Sequence, residues 1–171
     1  MKISEKILCL CMLCMILVVL SACSQKTESK QMTDDVELSS PAVEVSLQEA
    51  EARVPFKIKQ PVMPFEVTEQ STRLLETNGT YDAVEITYVK KDENANVILL
   101  ITNSKVDTPP TGKKGQKLTN GLQTWDQGNG EVSAIYWRHE GLTYTVVSGK
   151  NNNLEPLYDY ETLLKIADTI Q

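Results

Sequence analysis

Hydrophobic positions change period several times along the chain, and each change marks an element. From Ile7 to Leu20 every residue is apolar. This run of about 14 residues is shorter than the ~20 that a membrane-spanning helix requires, and it matches the apolar core of a secretion signal. The stretch "SQKTESKQMTDDVELSSPAVEV" that follows Cys23 has no period and is rich in Ser, Thr, Asp and Glu. It reads as a disordered tether spanning roughly 25–30 Å as a coil, with a poorly defined strand near Val43–Val45 as the alternative. At "SLQEAEARVPF" the period becomes helical. Ser46 and Glu49 have capping-box spacing, Leu47, Ala50 and Val54 share one helical face, and Pro55 stops the helix at about Val54. "KQPVMPFEV" carries two prolines and is expected to be extended and irregular.

From Thr72 the period is two. Thr72–Glu76 predicts a strand that ends at an Asn78-Gly79 turn. In "DAVEITYVK" Val84, Ile86 and Tyr88 point one way and Glu85 and Thr87 the other. "NVILLITN" is apolar on both faces, which places it centrally in a sheet. "SKVDTPPTGKKGQ" is expected to be a long loop. "KLTNGLQTW" folds around Asn120-Gly121, and "EVSAIYWRH" and "LTYTVVSG" flank a two-residue Glu140-Gly141 loop. That loop sets His139 opposite Leu142, Trp137 opposite Tyr144 and Ile135 opposite Val146. Directly opposed residues share a face, so Trp137, Tyr144, Ile135 and Val146 are assigned to the core. Arg138, Tyr136, Thr143 and Thr145 fall on the other side. The chain closes with "YDYETLLKIADTIQ", where Asp159 is a good N-cap and Tyr160, Leu163, Leu164, Ala167 and Ile170 form one apolar stripe.

The pattern predicts an α+β fold: an antiparallel curved sheet of about six to seven strands, with an N-terminal and a C-terminal helix packed on one face. The expected organisation is a signal peptide over 1–22, an anchored Cys23 and tether over 23–45, and one extracytoplasmic domain over 46–171.

The chain has four cysteines, and all of them precede residue 24. Cys9, Cys11 and Cys14 lie within the leader. Leu20-Ser21-Ala22-Cys23 resembles the lipobox of bacterial lipoproteins. That resemblance implies that Cys23 is thioether-linked to diacylglycerol, that the peptide is cut before it, and that its new amine takes a palmitate-type acyl chain. Two or more chains hold a protein firmly on a bilayer, whereas one binds marginally. The implied location is the outer face of the bacterial cytoplasmic membrane, with membrane lipid as the partner of Cys23. A processed chain would keep no thiol, hence no disulfide, thiolate metal site or cysteine nucleophile.

The full chain carries 17 Lys and Arg against 23 Asp and Glu, a net charge of −6. Loss of Lys2, Lys6 and Glu5 with the leader leaves 15 against 22, about −7. An exported acidic domain is a poor partner for nucleic acid. Candidate chemistry is sparse. The single histidine, His139, falls at a hairpin tip between Arg138 and Glu140. Zinc needs three or four His, Cys or carboxylate ligands, so one His without Cys argues against it. Asp82 and Glu85 fall on opposite strand faces and make no acid–base pair. Asp92, Glu93, Asn94 and Asn96 lack the central Gly and distal Glu of a calcium loop. No cofactor is expected. The residues left for ligand or partner contact are the basic Lys113, Lys114 and Lys117, grouped with Lys105 in the long loop, and the aromatic Trp125 and Tyr136.

Trp137, Gly141, Tyr144, Val146, Leu163, Ile166, Ala167 and Ile170 carry a further resemblance. "ARVPF" after a capped helix, "YWRHEGLTYTVVSG" and "LLKIADTI" resemble the extracytoplasmic bacterial family labelled domain of unknown function 4367. The resemblance spans about Ser46 to Gln171. It departs near the first strand, where Met63-Pro64-Phe65-Glu66-Val67 stands in place of a Leu-Pro-x-Gly-Tyr pattern. It implies a membrane-associated accessory domain distantly similar to half-barrel lipoprotein carriers, and it brings no catalytic residue. The expected function is a non-enzymatic, monomeric surface lipoprotein that serves as a binding or accessory module, with a protein or an apolar ligand as its partner. The alternatives are a carrier or sensor of an apolar ligand and, last, an uncharacterised enzyme.

Overall fold

The computed structural model describes residues 42–77, 79–93, 95–103, 111–150 and 155–170. The leader, Cys23, most of the expected tether, Asn94 and Lys105 lie outside the described residues. The fold is α+β: an open antiparallel sheet of eight strands with one short helix near each end of the domain. In chain order the elements are β1 Val43–Val45, α1 Leu47–Arg53, β2 Glu69–Thr77, β3 Thr80–Lys90, a 3-10 turn Lys91–Glu93, and β4 Ala95–Thr102. Then come β5 Lys113–Lys117, β6 Gln123–Asp126, β7 Ala134–His139, β8 Leu142–Ser148 and α2 Tyr160–Asp168.

The strand order is β1-β2-β3-β4-β8-β7-β6-β5. Two sets of four consecutive strands thus meet along β4 and β8, their last strands, which pair Val97 with Ser148 through Thr102 with Thr143. The short loops account for each half. Thr77 pairs with Thr80 around Asn78-Gly79, and His139 pairs with Leu142 around Glu140-Gly141. Glu140 and Gly141 have φ of 51° and 79°. Both central residues of a type I′ turn need that sign, and the turn's twist matches that of the strands it joins. The predicted hairpin register is the one observed, with Trp137 opposite Tyr144 and Ile135 opposite Val146.

Two segments differ from expectation. Val43–Val45, assigned to the tether, pair with Leu74, Arg73 and Thr72 and add an eighth strand to the six or seven expected. Three residues beside a Ser- and Glu-rich stretch show no legible period. The unpaired edge of β2 nevertheless recruits them, because backbone N–H and C=O groups need partners. Lys113–Lys117, expected in a loop, form the opposite edge strand β5 on β6. A strand made of three lysines, a glycine and a glutamine has no apolar signature. Lysines are nevertheless common on exposed edges, where they discourage pairing with another chain.

Cross-strand rows show where the core sits. Leu74, Val84, Ile101, Tyr144, Trp137 and Thr124 oppose one another in turn from β2 to β6. All six are buried. The neighbouring row runs through Thr72, Ile86, Leu99, Val146 and Ile135, also buried. Ala50 of α1 and Leu163, Leu164, Ile166 and Ala167 of α2 join the same cluster. α1 lies against β2, and α2 against β7 and β8. The irregular arm between α1 and β2 adds Val54 and Ile58 to the cluster and rests Phe56, Met63 and Phe65 on it. Phe65 stacks on Tyr158 at 6.0 Å, and the Val62 N–H donates to Thr169 Oγ1 at 2.8 Å, which ties the arm to the end of α2.

Both helices are capped as their sequences predict. Ser46 Oγ accepts from the Glu49 N–H at 3.1 Å. Asp159 Oδ1 accepts from the Thr162 hydroxyl at 2.7 Å and its N–H at 2.9 Å. These two hydrogen bonds hold the Asp159 carboxyl below the usual range. Arg53, in the last turn of α1, pairs with Glu49 and stacks over the Tyr81 ring at 4.4 Å.

One core group is at odds with its surroundings. The Tyr88 hydroxyl is buried and has no hydrogen-bond partner among the described residues, and burial drives its pKa far up. A buried hydroxyl without a partner destabilises by about 1–3 kcal/mol. Tyr88→Phe is therefore expected to match or exceed the wild-type midpoint in urea unfolding. A clear loss of stability would mean that the hydroxyl has a partner.

Candidate functional site

The five candidate contact residues come from three strands at one end of the sheet, and the register separates them. Lys114 opposes Trp125, Trp125 opposes Tyr136, and Tyr136 opposes Thr145. These residues share one side of the sheet. Lys113 opposes Asp126 and belongs to the next row, which continues to Ile135 on the core side. Lys117 lies past a bulge in β5 and opposes Gln123. The structure thus brings Lys114, Trp125 and Tyr136 together and leaves Lys113 and Lys117 on the exposed edge. The aromatic residues divide in the same way. Trp137 and Tyr144 stack in the core at 5.1 Å with planes 10° apart, while Trp125 meets Tyr136 edge to face at 5.9 Å on the other side.

The Lys114–Trp125–Tyr136–Thr145 row crosses the whole sheet. It continues through Leu100, Glu85 and Arg73 to Glu44 of β1. At the β2–β3 end it is polar and paired, with Arg73 Nη1 3.0 Å from Glu85 Oε1. From β4 onward it is apolar and aromatic. Leu100, Trp125 and Thr145 are half-buried, as are Ile98 and Val147 in the adjacent row. Tyr136 is more covered, at 9% exposure, and its hydroxyl accepts from Arg138 Nε at 2.6 Å. The unbroken apolar run of "NVILLITN" already marked both of its faces as apolar in the sequence. Arg138 and Tyr136 were already on one face in the sequence, and the structure adds the hydrogen bond between them.

The sequence did not point to a second feature, a cavity of about 310 Å³ where the arm after α1 meets the β7–β8 turn. Phe56, Lys57 and Lys59 come from the arm, Asn103 from the end of β4, and Glu140, Leu142 and Tyr144 from the hairpin. Lys59 Nζ stands 3.9 Å from Glu140 Oε2, and His139 Nε2 stands 3.7 Å from the same oxygen. Burial first, and the Glu140 carboxylate second, push the Tyr144 hydroxyl above its usual pKa. Nothing in the local sequence could reveal this site, since its walls lie far apart along the chain.

Among the described residues, no group of three or more His, Cys, Asp or Glu is placed to hold a metal ion, and no helix is long and apolar enough to cross a membrane. No protein-family model, curated protein or solved structure matches the chain.

Proposed function

We propose that the chain is a lipid-anchored binding module without enzymatic activity. It is held on the outer face of the bacterial cytoplasmic membrane by Cys23 and is related to the family labelled domain of unknown function 4367. In this reading the sheet is curved, both helices lie on its core side, and the other side docks a protein partner. The module acts as a monomer, uses no cofactor and does not bind nucleic acid.

The observation that carries the docking surface is the partly exposed strip formed by Leu100, Ile98, Val147 and Trp125 around the more covered Tyr136, flanked by Arg138 and Lys114. Contiguous apolar surface outside the core marks interaction sites. Aromatic residues and Arg are also the types enriched at interface centres. A second reading, a carrier of a small apolar ligand, is favoured by the cavity beside Tyr144.

Photo-crosslinking in bacterial cells tests the first reading. With a benzophenone amino acid at position 100, a discrete cross-linked product is expected. The same group at Glu51, exposed on α1, should give none. Labelling with a palmitate analogue is expected on the wild-type chain and absent from Cys23→Ala, which should remain unprocessed. Label retained by the alanine variant would remove the anchor from the proposal, and equal cross-linking from both positions would remove the docking surface.

A further inference from the structure

We infer that the cavity between the arm and the β7–β8 turn is a binding site for a small organic anion with an apolar body, of the arylalkanoate kind. Its volume of about 310 Å³ lies at the lower end of the range for small-molecule sites. Its apolar wall is Phe56, Leu142 and the ring of Tyr144. Trp137 backs that ring at 5.1 Å, so the wall is set before any ligand arrives. A wall already in place lowers the ordering penalty of binding.

The charges select the ligand. Two cationic residues, Lys57 and Lys59, line the cavity against one acidic residue, Glu140. The excess is one positive charge, in a protein whose net charge is −6. The Lys59–Glu140 separation of 3.9 Å is an ion pair too long to be a hydrogen bond. An ammonium carries three donors, so this contact leaves Lys59 able to meet a second oxyanion. Asn103, whose side-chain amide is a donor, lines the same cavity. A carboxylate head placed among Lys57, Lys59 and Asn103 would direct its apolar body onto Phe56, Leu142 and Tyr144.

The backbone at Glu140 supports the assignment. Glu140 is the only non-glycine residue with positive φ among those described, at a turn position where Asn, Asp or Gly is preferred. A strained residue at the mouth of a cavity is a reason to look there for function. The Glu140 carboxylate lies 3.9 Å from Lys59 Nζ, so the turn brings its charge to the same wall of the cavity.

The test uses the full chain in non-ionic detergent, titrated calorimetrically with 3-phenylpropionate, its neutral counterpart 3-phenylpropan-1-ol and the cationic 3-phenylpropylamine. Saturable one-to-one binding of the carboxylate is expected, with the alcohol at least tenfold weaker and the amine weaker still. The double variant Lys57→Gln, Lys59→Gln should lose at least tenfold in carboxylate affinity while keeping the wild-type melting temperature. Leu142→Trp, which fills the cavity, should weaken both carboxylate and alcohol. Equal binding of acid and alcohol, tightest binding of the amine, an unchanged affinity in the double variant, or no binding at all would each overturn the inference. Leu100→Lys lies in the opposite row of the sheet and should leave this titration unchanged. Failure of the docking surface and failure of the cavity site are therefore read separately.

Discussion

Trp137→Ala is expected to unfold the domain or bring it to the edge of unfolding. The side chain is 1% exposed and sits in the middle of the fully buried row between Tyr144 and Thr124. α2 rests on the two strands that carry Trp137 and Tyr144. Truncating a buried Trp costs about 3–5 kcal/mol, through lost transfer energy and the cavity left behind. A domain of this size has only about 5–15 kcal/mol in hand. The loss also frees the Tyr144 ring, which stacks on the indole at 5.1 Å. Val62→Ala is the control, because Val62 is 71% exposed and engages its neighbours through its backbone N–H. It should stay within about 0.5 kcal/mol of wild type. Urea unfolding followed by circular dichroism compares the two. A Trp137→Ala variant as stable as the Val62 control would mean that α2 does not depend on this row.

Gly115→Ala is expected to destabilise by about 1–3 kcal/mol through overpacking. Gly115 lies in the bulge of β5, where the Tyr160 side chain of α2 meets the strand. The Tyr160 hydroxyl accepts from the Gln116 N–H at 2.8 Å and lies 2.9 Å from Thr124 Oγ1. Thr124 Oγ1 in turn donates to the Gln116 carbonyl. The consistent assignment is a closed ring in which Tyr160 donates to Thr124. A methyl group at position 115 would fall on the Tyr160 hydroxyl, with Thr124 Oγ1 at 2.8 Å and Tyr160 Cζ at 3.0 Å. The conflict is one of space and not of backbone angle. Tyr160→Phe removes the atom most in the way and also breaks the ring, for a loss of about 0.5–1.5 kcal/mol. The two changes should therefore couple. Gly115→Ala is expected to cost less in the Tyr160→Phe background, by at least about 0.5 kcal/mol. Strict additivity would show that the strand and helix adjust independently, and that the close approach does not hold β5 in place.

These expectations join positions whose relation differs in kind. Trp137 and Tyr144 lie on either side of a two-residue loop, and their pairing follows from the loop length and the period of the strands. Gly115 and Tyr160 are far apart in sequence, and nothing local connects them. The candidate contact residues show the same split. Trp125 and Tyr136 stood out as aromatics in an otherwise polar composition. The hairpin already set Tyr136 on the face opposite Trp137 and Tyr144, but whether Trp125 joined it depended on the register across β6 and β7. The lysines of β5 were read as loop residues because charge dominates their sequence. Their strand exists because β6 offers a partner edge.

The sequence by itself determined the features that act over a few residues: the Ser46 and Asp159 caps, the Glu140-Gly141 turn, the alternation of β3, β4, β7 and β8, and the apolar stripe of α2. A cap, a turn type or a side-chain period depends only on neighbours in the chain, so the residue types suffice to specify it. Only the tertiary structure decided that the two sets of strands join along β4 and β8, that Val43–Val45 and Lys113–Lys117 form the outermost strands, and that the arm and the last hairpin line a common cavity. Closing a long loop costs little more than closing a shorter one, so chain distance says almost nothing about which strand edges meet. That choice rests on burying both apolar rows of the central strands and pairing the backbone of every inner strand on both sides. It is a property of the assembled sheet and of no segment alone.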